Sequence, residues 1–199
     1  MPSAIQLLII GNVLGFLLQQ TAGPAAMNAL ALWVDPSSPL AGPLTAPWQL
    51  FTYSLLHANV THLALNMFGL WMFGTDVERV WAAPRVLLAY FAAVLTGGVA
   101  HVLAGAVLGS ATPVIGASAG VFGLMLCYAM MFPQRRVMLL IPPVPMSART
   151  MVIVYAAIEL GFGVSGTQVG VAHFAHLGGL LGGWLVYRYG GYLGGRRWR

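Results

Sequence analysis

The sequence predicts an all-α membrane protein, a six-transmembrane-helix bundle forming a single domain over residues 1–199. Three observations carry this. Hydrophobic residues make up 59% of the chain and charged residues 7%, against about 25% charged in an ordinary soluble domain. A span needs about 20 mostly apolar residues, so six of them take roughly 120 residues and leave the remainder for short loops. All nine basic residues are arginines scattered over 79–199, in a pattern that reads as topology, because short Lys/Arg-rich loops stay cytoplasmic.

The first span covers 4–21 and is closed by Gly23-Pro24. Its apolar run followed by TAGPAA has the outline of a secretory signal, but no basic segment precedes it, so it reads as a retained first helix. Residues 24–50 form a long loop whose AAMNALALW segment suits the membrane surface, with Trp33 and Trp48 as interface anchors. Span two covers 55–74 and gives way to Asp76, Glu78, Arg79 and Arg85; span three covers 86–105. No charge occurs from Val86 to Gln134, and the Gly/Ser/Thr/Pro group at 109–113 splits that run, which starts span four at 116 and carries it to 132. Prolines at 133, 142, 143 and 145 forbid a continuous helix through the next segment. Span five covers 150–163 and span six 173–189. The loops after spans two and four and the C-terminal segment hold the arginines or border them; the loops after spans one, three and five hold none. Both termini are therefore expected to be cytoplasmic, and the minimal layout points to a bacterial inner (plasma) membrane.

The net charge of +5 comes without a single lysine and without a basic cluster in the first 78 residues, which excludes a nucleic-acid partner. Cys127 is the one cysteine, so no intramolecular disulfide can form and the thiol is expected to pack in an apolar helix.

Chemistry concentrates in GASAG, residues 116–120, where Ser118 lies between glycines Gly116 and Gly120 at the start of span four. A serine hydroxyl needs a base within hydrogen-bond reach and donors facing the developing oxyanion. The candidate base is His176 in AHLGGLLGG (175–183), and the candidate oxyanion donors are His62 and Asn66 in HANVTHLALN (57–66). His62 and Asn66 are four residues apart and share a helix face, a costly polar surface in a membrane unless it is partnered or lines a wet cavity. Gly179 and Gly183 follow His176 on one stripe, and small residues let helix backbones approach closely. By the arginine topology, Ser118, His176 and His62 lie near one depth below the outer surface. His57 lies off the His62/Asn66 face and reads as a histidine tethering its loop. His173, three residues before His176, is the rival base; the glycine spacing selects His176. His101 reads as a hydrogen-bonder within the bundle.

A carboxylate to complete a triad is hard to find. Asp76 and Glu78 fall at the arginine-rich end, Asp35 in the surface loop, and Glu159 inside span five, where it is expected to be paired within the bundle. The expectation is a Ser-His dyad with no metal and no cofactor.

Taken together, HxxxxHxxxN at 57–66, GASAGVFG at 116–123 and AHLGGLLGG at 175–183 resemble the rhomboid family of intramembrane serine proteases, over nearly the whole chain. The resemblance implies Ser118 as nucleophile, His176 as general base, and an oxyanion hole of His62, Asn66 and the Ser118 backbone N–H. It also implies that Phe122 stands where some members stack a tyrosine on the histidine, keeping the ring and losing the hydroxyl. Ala119 replaces the glycine that commonly follows the serine, and Gln49 stands after Trp48 where some members carry arginine. The implied partners are the lipid bilayer and transmembrane protein substrates, cut near the outer face, with residues 164–172 capping the site and span five moving aside. A catalytically silent member that binds transmembrane helices is the alternative, and the intact Ser118, His176, His62 and Asn66 argue against it. An α/β-hydrolase is disfavoured because no strand-period pattern precedes residue 116, and a transporter because no paired broken helices occur in two halves.

Overall fold

A computed structural model describes residues 2–34, 45–109, 112–138, 143–166 and 172–190. Helix α1 (Ala4–Ala22) begins with a capping box, in which Ser3 accepts from Gln6 N–H and Gln6 bonds back to the Ser3 backbone. Helix α2 (Pro24–Leu30) follows at once, started by its proline. A short α3 (Gln49–Thr52) and a 3₁₀ turn (Tyr53–Leu55) lead to α4 (Val60–Gly69), whose first turn is capped by Asn59 accepting from His62 N–H. Segment 24–50 thus contains two helices where the sequence reading expected a loop. They are stapled together through the fully buried Gln49, whose amide donates to the Asn28 carbonyl and accepts from Trp33 N–H. Residues 35–44 lie outside the described residues.

Helix α4 runs on through a π-helical stretch (Leu70–Gly74) into α5 (Thr75–Val80). The helix therefore continues past position 74, where the sequence reading ended span two. It can do so because its charges find partners there: Glu78 accepts from Ala4 N–H at 2.6 Å and Ile5 N–H at 3.2 Å, and Asp76 pairs with Arg79 and Arg135. Helix α6 (Ala83–Leu108), also longer than expected, is the central element; α7 (Ser118–Met131) and α9 (His173–Tyr189) pack along it, and α8 (Ala148–Ser165) covers α7 and α9. Among the described residues the chain is not purely α-helical. The proline-rich segment pairs β1 (Arg136–Met138) with β2 (Pro145–Ser147) in a small antiparallel ladder, because prolines that forbid a helix tolerate extended edge strands.

Among the described residues, three helices are long and apolar enough to cross a membrane: α1, α6 and α8. Helix α7 is apolar but spans only 14 residues, and α9 spans 17. On α1, α6 and α8 large apolar side chains point outward: Leu14, Leu103 and Ile153 are all exposed, the arrangement expected of a surface facing lipid rather than water.

Glycine sets the helix spacing. A Cβ at Gly179 would collide with the Ala119 backbone, and one at Gly183 with the backbone of Gly123. Thr96 Oγ1 lies 2.7 Å from the Gly178 carbonyl, and Tyr53 donates its hydroxyl to the Val94 carbonyl at 2.7 Å. Cys127 is buried in this seam with its thiol 3.4 Å from the Gly183 carbonyl.

The bundle has two chemically distinct ends. The start of α1, α5, the end of α7 and the end of α9 gather at one, where Arg85 stacks over Trp81 and reaches the Tyr187 carbonyl, and Arg135 stacks over Phe132. The starts of α4, α7 and α9 gather at the other.

Candidate functional site

Ser118 is the first residue of α7, His176 lies in the first turn of α9, and His62 in the first turn of α4. Close packing of α7 on α9 brings the first two together: His176 Nε2 lies 2.8 Å from Ser118 Oγ. With the hydroxyl donating to Nε2, that nitrogen is bare and the ring hydrogen sits on Nδ1. Phe122, one turn along from Ser118, lies flat on the His176 ring, with centroids 4.4 Å apart and planes 6° from parallel. Tyr155 of α8 meets Phe122 edge-on at 6.0 Å.

His62 approaches from α4. Its Nδ1 accepts from Ala58 N–H at 3.3 Å, so its hydrogen is carried by Nε2, which becomes a donor. Gly116 makes room for it. This residue has φ of +122°, outside the range of an ordinary side-chain-bearing residue. A Cβ built there would lie 2.8 Å from His62 Cε1, 2.9 Å from Nε2 and 3.8 Å from Ser118 Oγ. The donor edge of His62 and the serine oxygen thus border one small space. Asn66 is buried, spends one amide hydrogen on the His62 carbonyl at 2.9 Å and lines the same space. These groups open onto a cavity of about 1020 Å³ lined by His62, Asn66, Ser118, Phe122, Tyr155 and His176. Elsewhere its walls are mainly apolar, as small-molecule and peptide sites are.

The supporting residues fall as follows. The His57 ring is buried and meets His62 edge-on at 5.1 Å, while its backbone is clasped by Gln19 of α1, which accepts from His57 N–H and donates to its carbonyl. The tether is therefore the main chain of His57 rather than its imidazole, and Gln19 is a contributor that the sequence reading missed. His101 Nε2 reaches the Thr112 carbonyl at 3.0 Å. The expected cap at 164–172 lies partly outside the described residues, at 167–171.

The partners of Glu159 are two histidines of α9. One carboxylate oxygen lies 2.6 Å from His173 Nδ1 and the other 2.9 Å from His176 Nδ1. It is paired within the bundle, and one of the groups it pairs with is the candidate base. The His173 ring is engaged by this contact and by Phe162, with ring centroids 5.8 Å apart. Among the described residues no cluster of His, Cys, Asp and Glu has the arrangement of a metal site.

The family model for the rhomboid domain matches residues 45–192. The chain is 36% identical over 139 residues to "Rhomboid protease GluP" of Bacillus subtilis, and 30% identical over 142 residues to "Rhomboid protein 1, mitochondrial" of Saccharomyces cerevisiae. It is also 26% identical over 182 residues to "Presenilin-associated rhomboid-like protein, mitochondrial" of Rattus norvegicus. These matches cover 70%, 69% and 84% of the chain but only 25%, 39% and 48% of the respective relatives. The matched segments accordingly span less than half the length of each of these relatives. With the family model matching well over half of its residues, and apolar helices long enough to cross a bilayer, this integral membrane chain belongs to the rhomboid family.

Proposed function

We propose that the chain is an intramembrane serine endopeptidase that cleaves transmembrane segments of membrane proteins near the outer face of the bilayer. The observation that carries this is the 2.8 Å contact between Ser118 Oγ and His176 Nε2 at the edge of a cavity toward which His62 turns a donor nitrogen. Ser118 Oγ attacks the scissile carbonyl as its proton moves to His176 Nε2. The oxyanion forms against His62 Nε2–H, the Asn66 amide and the backbone N–H groups of the first turn of α7, which have no partner within the helix and carry the positive end of its dipole. His176 then gives the proton to the leaving amine, and water releases the acyl group. A helical peptide bond presents its carbonyl to its own backbone, so the substrate unwinds at the cut and favours small or helix-breaking residues there.

The reading extends to topology. Six spans carry both termini at the cytoplasmic side of a bacterial inner membrane, with the arginine-rich end inward and Ser118 toward the outside. The clustering of Arg79, Arg85 and Arg135 at the end opposite Ser118 supports it.

A serine-directed fluorophosphonate probe tests the reading. The chain in proteoliposomes is expected to label, and Ser118→Ala and His176→Ala each to lose the label; labelling that survives Ser118→Ala defeats it.

A further inference from the structure

Glu159 is an ionisable group inside an apolar helix, 8% exposed. Such a group is kept within a membrane only with partners or a task. Its two oxygens are divided between two rings of the neighbouring helix: Oε2 sits at 2.6 Å from His173 Nδ1, and Oε1 at 2.9 Å from His176 Nδ1. The far nitrogen of that second ring faces Ser118 Oγ at 2.8 Å. A continuous line of polar atoms therefore runs from α8 through α9 to the first residue of α7.

We propose that Glu159 is a positioning residue that turns the Ser118–His176 pair into a three-membered arrangement, holding the imidazole with its hydrogen on Nδ1 and stabilising the imidazolium that forms during attack. This deepens the serine endopeptidase reading and rests on it.

The chemistry balances without protonating the carboxylate. As the bond from Ser118 Oγ to the carbonyl carbon forms, the Oγ–H bond breaks and an Nε2–H bond forms on His176, leaving a cation between Glu159 and the new oxyanion. When the C–N bond breaks, that proton leaves Nε2 for the departing amine. Glu159 stays anionic throughout, as an orienting carboxylate does in a hydrolytic triad. In the resting structure Oε1 approaches Nδ1 obliquely rather than along the N–H axis, and such contacts shorten and align when the ring becomes charged. His173 takes the other carboxylate oxygen at 2.6 Å, a contact that joins α8 to the start of α9. The remaining titratable groups facing His176 are His173 on its own helix, Tyr155 on α8 and His62 on α4, with His101 of α6 on the same cavity. Glu159 is the one anion among them.

The alternative is that Glu159 merely fastens α8 to α9, and paired variants separate the two. In proteoliposomes with a fluorogenic peptide bearing a transmembrane segment, Glu159→Gln is expected to lower kcat by about tenfold or more, because the imidazolium loses its counter-charge. KM is expected to be unchanged, and the acidic limb of the pH–rate profile to move to lower pH. His173→Gln removes the fastening yet leaves Oε1 beside His176; it is expected to lower Tm while kcat and the pH profile stay near wild type. Wild-type kcat and an unmoved pH profile in Glu159→Gln overturn the proposal. A second measurement needs neither variant nor activity. Nitrogen-15 NMR of the histidine rings in the wild-type chain should show the His176 hydrogen on Nδ1, and a hydrogen on Nε2 overturns the proposal. Fluorophosphonate labelling that depends on Ser118 and His176 but ignores Glu159→Gln defeats this inference alone, whereas an unlabelled wild-type chain defeats the enzyme reading beneath it.

Discussion

Ser118 Oγ and His176 Nε2 lie 2.8 Å apart across a separation of 58 residues in sequence. Each belongs to the first turn of its helix, and the two helices are held in register by glycine. In the proposed reaction the hydroxyl and the imidazole act as a unit. Ser118→Ala and His176→Ala are each expected to lower cleavage of a membrane substrate by about a thousandfold or more, and the double variant to fall no further. Initial rates in proteoliposomes check this; additive losses would show that the two side chains work separately.

His62 presents Nε2–H to the space beside Ser118 because Ala58 N–H occupies its other nitrogen. Removing one oxyanion donor costs about a hundred- to a thousandfold in kcat. His62→Ala is expected in that range, and Asn66→Ala at or below its lower end, since the Asn66 amide already serves the His62 carbonyl. KM should hardly change in either variant.

Phe122 stacks on His176 at 4.4 Å. An aromatic pair of this kind contributes about 1 kcal/mol, or roughly fivefold in a rate that depends on the ring's position. Phe122→Tyr keeps the face and is expected to stay near wild-type kcat, while Phe122→Leu, similar in bulk but without a ring, should drop by about that factor. Equal rates for the two would dismiss the stack.

Gly179→Ala forces a methyl into the Ala119 main chain, which cannot swing away as a side chain would. Overpacking of this kind costs about 1–3 kcal/mol, so a lower Tm is expected, along with a loss of activity from spreading α9 and α7. Gly161→Ala is the control. Its Cβ would meet nothing within 4 Å on α8, and replacing an unconstrained helical glycine is worth about 0.5–1 kcal/mol in favour of the variant. Thermal unfolding in detergent should therefore move in opposite directions for the two.

Glu78 accepts two N–H groups at the start of α1. A carboxylate at that end of a helix adds about 0.3–1 kcal/mol or more when half-buried. Glu78→Ala is expected to lower Tm by a few degrees without altering kcat, and a change in kcat at unchanged Tm would contradict a purely structural role.

The sequence made Ser118, His176, His62 and Asn66 legible because polar groups inside apolar helices are few enough to be enumerated, and helical spacing assigns them faces. The glycines at 179 and 183 announced a close approach for the same reason. Glu159 was visible as an isolated carboxylate, but its partners were not. Whether it meets His176 depends on how far α8 is displaced along α9 and how it is rotated, and neither is written in the periodicity of a helix that is apolar nearly all round. The same limit hid Gln19 and Gln49, ordinary-looking glutamines whose amides clasp distant main chain. The strand pair at 136–147 went unseen because proline says where a helix stops and nothing about what the chain pairs with instead. The arginine pattern found the charged end, while the extension of the helix to Val80 came from partners on α1 and in the turn after α7 that local composition cannot reveal.

The seam where α9 meets α7 has a consequence for tolerance to change. Main chain touches main chain there, so the alignment of Ser118 with His176 is gauged by rigid polypeptide rather than by the bulk of adjustable side chains. Lipid-facing leucines and valines can drift in size with little reach into the reaction, whereas a single added carbon at one of these glycines shifts the gauge itself. The smallest substitution on the molecule is thereby among its most severe.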